Sequence, residues 1–143
     1  MKKGSKNIVT GKRGELRVIG KLLGQGFTVY TPVVDIEGID CIIRNDKGRL
    51  IEIQIKTITQ GTDSFRRFQV KNLRPHKDFF ICCYISNDDE LWLIPSIVFQ
   101  RNSFLTNAGT HILSIDSTKN EALTKYKDDN GLKKLKLGDD WTY

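Results

Sequence analysis

The chain has 143 residues and no run of 18 or more apolar ones, so no stretch of it reads as a membrane-spanning helix. Its start, Met-Lys-Lys-Gly-Ser-Lys-Asn, is basic but lacks the apolar stretch of a signal peptide. A cytoplasmic protein is expected. Cysteine is scarce. The three present (Cys41, Cys82, Cys83) are odd in number and sit in apolar, strand-like runs, and the only histidines, His76 and His111, are far from them in sequence. Neighbouring strand residues point to opposite faces, so neither a disulfide framework nor a zinc site is expected, and the thiols read as buried and reduced. There is no phosphate-binding Walker loop, no glycine-rich dinucleotide motif, no Ser-His-Asp arrangement, no internal repeat and no linker.

What is present fits a globular protein: 38% hydrophobic and 28% charged residues. The length suits one domain with its own core. We expect a basic arm over residues 1–9 and a single domain over 10–143. The net charge of +6 and a pI of 9.3 suit a partner that is a polyanion.

From Thr10, a plausible N-cap, Leu16, Val18, Ile19, Leu22 and Leu23 recur at helical spacing, and Gly24 and Gly26 mark an exit. The spacing predicts a helix over 11–24. Phe27 to Thr31 alternates as a strand and is closed by Pro32. A hairpin follows, with strands over 39–45 and 49–58. Asn45-Asp46-Lys47-Gly48 fits a type I turn with Gly48 in the left-handed region. That turn sets Asn45 against Arg49, Arg44 against Leu50, Ile42 against Glu52, and Asp40 against Gln54. Asp40, Glu52, Gln54 and Lys56 then share one face. Cys41, Ile43, Ile51, Ile53 and Ile55 share the other.

Residues 59–75 are polar and basic and read as a long loop with a short helix or an edge strand. Phe79 to Ile85 is a strand covered on both faces. Glu90 to Ile94 is the next strand. Ser96 is placed as the cap of a short helix to Gln100. A strand over 111–115, a lysine-rich helix from Ser117 or Thr118 to Lys127, and a tail over 131–143 carrying Trp141 and Tyr143 complete the chain. The sum is an α/β fold, a mixed central sheet flanked by helices.

The polar hairpin face is either solvated or a site. A metal-dependent phosphodiesterase needs a carboxylate for a divalent cation, further oxygen ligands, and a lysine beside the phosphate. Asp40, Gln54 and Lys56 supply these, and the carbonyl of Ile55 could add an oxygen. Hard oxygen ligands few in number favour Mg²⁺. The other reading of Lys56 and Glu52 is a surface cross-strand pair. Arg66, Arg67, Lys71 and Arg74 could grip phosphates, with Phe65 and Phe68 beneath them or against bases, or could line a solvated loop. The lysines at 125, 127, 133, 134 and 136 read as solvated.

Gly-Ile-Asp at 38–40, then 13 residues, then Gln-Ile-Lys at 54–56 resembles the PD-(D/E)XK nuclease superfamily, in its Gln-x-Lys form. The Gly-Glu-Leu helix at 14–16 and the Gly-Phe-Thr-Val-Tyr strand at 26–30 are similar to its Holliday-junction-resolvase and restriction-endonuclease branches. The resemblance covers 11–57 well, 79–95 loosely and the last third not at all. It implies a restriction-endonuclease-like fold and a Mg²⁺-dependent DNA endonuclease (Mn²⁺ substituting), acting as a homodimer or higher homo-oligomer. Asp40, Gln54, the Ile55 carbonyl and Glu15 would hold the metal, and Lys56 would be the catalytic lysine. Taken without the resemblance, Glu15 is a surface charge favoured near a positive helix end.

The chain departs from the family pattern in two places. Ile39, not proline, precedes Asp40, and Gln54 replaces the usual acid, removing a negative charge. Glu52, Asp35 or Glu37 could compensate. The alternative is a catalytically silent nucleic-acid-binding module on the same scaffold.

Overall fold

The computed structural model describes residues 3–35, 38–59, 66–116, 121–138 and 141. In order these form α1 (Lys3–Gly24), β1 (Thr28–Tyr30), β2 (Cys41–Arg44), β3 (Leu50–Ile58), β4 (Arg67–Lys71), β5 (Phe79–Ile85), β6 (Glu90–Pro95), α2 (Ser96–Asn102), β7 (Phe104–Leu105), β8 (Thr110–Ser114), a 3₁₀ helix (Glu121–Tyr126) and α3 (Asp128–Leu137). Five strands make a mixed sheet in the order β1-β2-β3-β5-β6, parallel only between β3 and β5. A second sheet has the order β4-β8-β7.

Each face of the large sheet carries its own core. On one, Val18 and Leu22 of α1 pack with Leu132 and Leu135 of α3 over Cys41, Ile43, Ile51, Ile53 and Ile55. On the other, Phe68 and Val70 of β4, Leu113 of β8 and Phe99 of α2 cover Ile81, Cys83, Ile85 and Trp92. Strand β5 lies between the two, and all seven of its residues are buried, which is why it reads as one unbroken apolar run. The thiols of Cys82 and Cys83 on β5 and of Cys41 on β2 are buried, and burial holds each above its ordinary pKa, Cys41 at about 12.

The hairpin register matches the turn chemistry. Arg44 pairs with Leu50, Ile42 with Glu52 and Cys41 with Ile53. Gly48 has φ +76°, and its N–H donates to the Asn45 carbonyl at 2.9 Å. Asn45 is buried and fixes the turn from both sides. Its Oδ1 accepts from the N–H groups of Lys47 and Arg49, and its Nδ2 donates to the carbonyls of Leu135 and Gly138.

Four expectations are corrected. Residues 3–9 continue α1 instead of forming a loose arm, and Thr10 lies inside the helix with its hydroxyl donating to the Lys6 carbonyl at 3.0 Å. Ser96 is the first residue of α2 and not its cap, because its hydroxyl is held by the backbone of His76. Residues 121–126 form a 3₁₀ helix, and Ser117 and Thr118 lie outside the described residues. The expected tail contains α3. Asp128-Asp129-Asn130-Gly131 looks like a turn, but a Cβ at Gly131 would stand 2.1 Å from the Tyr126 carbonyl oxygen, so this glycine serves close packing within a helix.

Trp141 does dock. It is 2% exposed, sets its ring edge-on to Phe80, and donates from Nε1 to the Lys77 carbonyl at 2.8 Å. Tyr143 lies outside the described residues.

Candidate functional site

The site forms where the hairpin comes apart. β2 stops at Cys41, opposite Ile53, while β3 runs on to Ile58. The Asp40 N–H makes the last rung, donating to the Ile53 carbonyl at 2.9 Å. Beyond it no named strand among the described residues pairs with this edge of β3. The Ile55 N–H on that edge is taken by the Asp40 carboxylate, with Oδ2 accepting at 2.6 Å. In an extended strand a residue's N–H and C=O leave on the same side. The Ile55 carbonyl therefore faces the same open edge as Asp40.

Two glycines build the surroundings. Gly14 lies in α1 against β3, where a Cβ would come 2.1 Å from Thr57 Oγ1. Only glycine lets the helix come this near, and the next residue, Glu15, is thereby set beside Asp40. Thr57 Oγ1 is buried there with no hydrogen-bond partner among the described residues. Gly38 has φ +76°, and a Cβ would stand 2.6 Å from Gln54 Nε2. The Gln54 amide thus packs on the backbone just before Asp40. Glu15 lies mid-helix, so the explanation by a helix end does not apply. Its side chain is 19% exposed and pairs with Lys12 at 3.2 Å.

Burial pushes the Asp40 carboxyl up to about 6. The Ile55 N–H and the Lys56 charge oppose that shift, while the neighbouring Glu15 adds to it. The structure brings Glu15, Lys56 and the Ile55 backbone to Asp40 at the open edge of β3, and Gln54 sits against Gly38 in the larger cleft beside it. These donors are two carboxylates, an amide and a backbone carbonyl. They suit a hard divalent cation, which would relieve the crowding of the two acids. Among the described residues no three His, Cys, Asp or Glu side chains cluster, consistent with glutamine at 54.

Two clefts flank the edge. One of about 440 Å³ lies between α1 and the 31–40 loop and is lined by Lys12, Glu15, Asp35 and Asp40. The other, of about 700 Å³, is lined by Glu52, Gln54, Lys71, Arg74 and His76. Of the residues that could compensate for Gln54, Asp35 shares the first cleft with Asp40. Glu52 does not join it, because Glu52 pairs with His76 Nε2 at 3.1 Å. Glu37 lies outside the described residues. His76 and Lys12 are cleft residues that sequence reasoning missed. A lone histidine after a proline and a lysine three positions before a glutamate give no signal until the clefts are seen.

The basic segment divides. Lys71 and Arg74 line the larger cleft, and Arg67 is exposed at the start of β4. Arg66 does not join them. It is 12% exposed, bonded to Glu90 and near Asp88, so it ties the segment to β6 instead of presenting itself to phosphate. Phe68 is core, so it stacks on no base, and Phe65 lies outside the described residues.

A family model for PD-(D/E)XK endonucleases matches residues 6–127. The chain belongs to the PD-(D/E)XK endonuclease family. The match reaches well past the 11–57 stretch that carries the resemblance in the sequence. It takes in both sheets and leaves out α3 and Trp141. The expected α/β fold, a mixed central sheet flanked by helices, is borne out, and the chain is similar in fold to a solved structure of a bacterial homing endonuclease. The two are 19% identical, with a TM-score of 0.58 over 83% of this chain and 86% of that one. No curated protein matches the sequence. No helix among the described residues is long and apolar enough to cross a membrane.

Proposed function

We propose that this PD-(D/E)XK protein is a divalent-cation-dependent DNA endonuclease, using Mg²⁺ and accepting Mn²⁺. The observation that carries the reading is the capture of the Ile55 N–H by Asp40 at the open edge of β3, with Glu15 and Lys56 within electrostatic reach. Asp40, Glu15, Gln54 and the Ile55 carbonyl would hold the cation. When bound, such a cation supplies Lewis-acid stabilisation of phosphate charge and acidifies water. The chain's own residues do the rest. Ile55 N–H fixes the rotamer of Asp40. Gly14 and Gly38 fix Glu15 and Gln54. The Lys56 ammonium orients the attacking water and offsets charge on the pentacovalent phosphate. Lys71, Arg74 and Arg67 would hold flanking phosphates. We assign a homodimer or higher homo-oligomer, in which the exposed Leu16, Val33 and Val34 beside the smaller cleft are the apolar surface to be covered.

The test is cleavage of plasmid and four-way-junction DNA with Mg²⁺ or Mn²⁺. Asp40→Ala and Lys56→Ala should each lose on the order of a hundredfold or more. Cleavage by either variant at the wild-type rate contradicts the assignment. The neutral Gln54 keeps a second reading alive, a silent nucleic-acid-binding module. Salt-dependent DNA binding with no cleavage, converted to cleavage by Gln54→Glu, would favour it.

A further inference from the structure

Past the site, β3 runs out at Ile58, beside the end of its parallel neighbour β5 at Ile85. A third cleft opens there, of about 200 Å³, lined by Thr10, Arg13, Arg17, Thr59, Ser86 and Asn87. No carboxylate lines it. Two guanidinium groups, the Asn87 amide and the Thr59 hydroxyl supply its donors, while the Thr10 and Ser86 hydroxyls already donate to the Lys6 and Thr59 carbonyls, and this donor set is the chemistry of a phosphate oxyanion site. Arg13 and Arg17 stand one helical turn apart on α1. Arg17 is held in place by the Tyr84 hydroxyl, which donates to Asp89 at 2.6 Å. Asp89 also acts on Arg17 electrostatically, and its other oxygen is taken by Lys21 at 2.9 Å. Arg13 has no partner among the described residues. The floor is rigid, because the N–H groups of Ser86 and Asn87 donate to the Ile58 and Thr59 carbonyls. The outer end of a parallel strand pair is also where α/β sheets commonly receive ligands.

We propose that this cleft is a phosphate-binding site, separate from the Asp40 centre, that grips a backbone phosphate of the bound nucleic acid. The identity of the polymer rests on the function proposed above. Thr59 lies four residues beyond Ile55, about 13 Å along an extended strand. The cleft is therefore within reach of the same strand of nucleic acid, on the side of the centre away from Lys71 and Arg74. The two basic clusters would hold the strand on both sides of the scissile bond.

The test uses the full chain in metal-free buffer, where no cleavage intervenes, with a short duplex and inorganic phosphate as probes. Arg13→Ala should weaken duplex binding on the order of tenfold and make the slope of log affinity against log salt shallower by about 1. Arg13→Lys should recover most of the slope. Lys133→Ala, exposed on α3, should change neither. The amide NMR signals of Thr59, Ser86 and Asn87 should shift with the duplex and, more weakly, with inorganic phosphate. If Arg13→Ala binds the duplex with wild-type affinity and slope, the backbone-phosphate site is wrong while the nuclease reading stands. If wild type binds no duplex, the nucleic-acid reading fails, and inorganic phosphate alone decides the site. Shifts at these amides that Arg13→Ala abolishes would then support a free-phosphate site, and no shift would overturn it.

Discussion

Asp40 is buried beside Glu15 and Lys56, and this environment fixes the sign of its effect on stability. Burial raises its pKa from 3.8 to about 6 in the folded, metal-free protein. Between those values the folded state holds a proton that the unfolded chain has released, so stability falls as pH rises from about 4 to about 6. Thermal melts in chelator should show that decline, and Asp40→Asn should flatten it. At position 54, the neutral amide spares the centre a third negative charge. Gln54→Glu should destabilise the metal-free protein and tighten Mn²⁺ binding on the order of tenfold, read by calorimetry. The pairing of Cys41 with Ile53 and Ile42 with Glu52 was legible from one turn, because Gly48 and Asn45 fix the register, but the ladder ends at Cys41, and Asp40 bonds the Ile53 carbonyl and the Ile55 N–H instead of extending it to Gln54. The fate of Glu52 was not, because its partner His76 comes from a segment with no strand pattern of its own.

At the scale of elements, the approach of α1 to β3 decides where Glu15 stands. Gly14→Ala would drive a methyl into Thr57, at 2.1 Å from its hydroxyl, 2.6 Å from its methyl and 2.8 Å from its Cβ. Overpacking of this kind costs about 1–3 kcal/mol. The change should cut metal-dependent cleavage by more than the loss of folded protein explains, and Thr57→Gly in the same chain should restore part of it. Cleavage unaffected at temperatures where both proteins are folded would show that the contact only packs. Strands β3, β5 and β6 were readable because apolar alternation or an unbroken apolar run marks them. Helix α3 was not, because Asp128 to Gly131 carries turn chemistry and its helicity comes from burying Leu132 and Leu135. The start of α1 was missed because its first turns are exposed and carry no apolar stripe.

At the scale of the molecule, two cores lie on opposite faces of one sheet, and a polar opening forms where β2 ends. Trp141 is buried in the core that α1 and α3 cover. Arg49 lies 4.8 Å over its ring and pairs with Asp78, whose carbonyl accepts from the Glu52 N–H. Trp141→Ala should cost about 3–5 kcal/mol in denaturant unfolding and leave the cleavage rate per folded molecule near wild type. The fold class followed from pattern alone, whereas the second sheet did not, because β7 has only two residues and β4 lies in a basic, loop-like stretch. The most direct measurement is a crystal structure of the protein soaked in Mn²⁺. An ion should be bound to the Asp40 carboxylate and the Ile55 carbonyl, with Glu15 and Gln54 completing its oxygen ligands, and no ion should be there in Asp40→Ala. An empty edge at saturating Mn²⁺, or an ion bound away from Asp40, would contradict the proposed metal site.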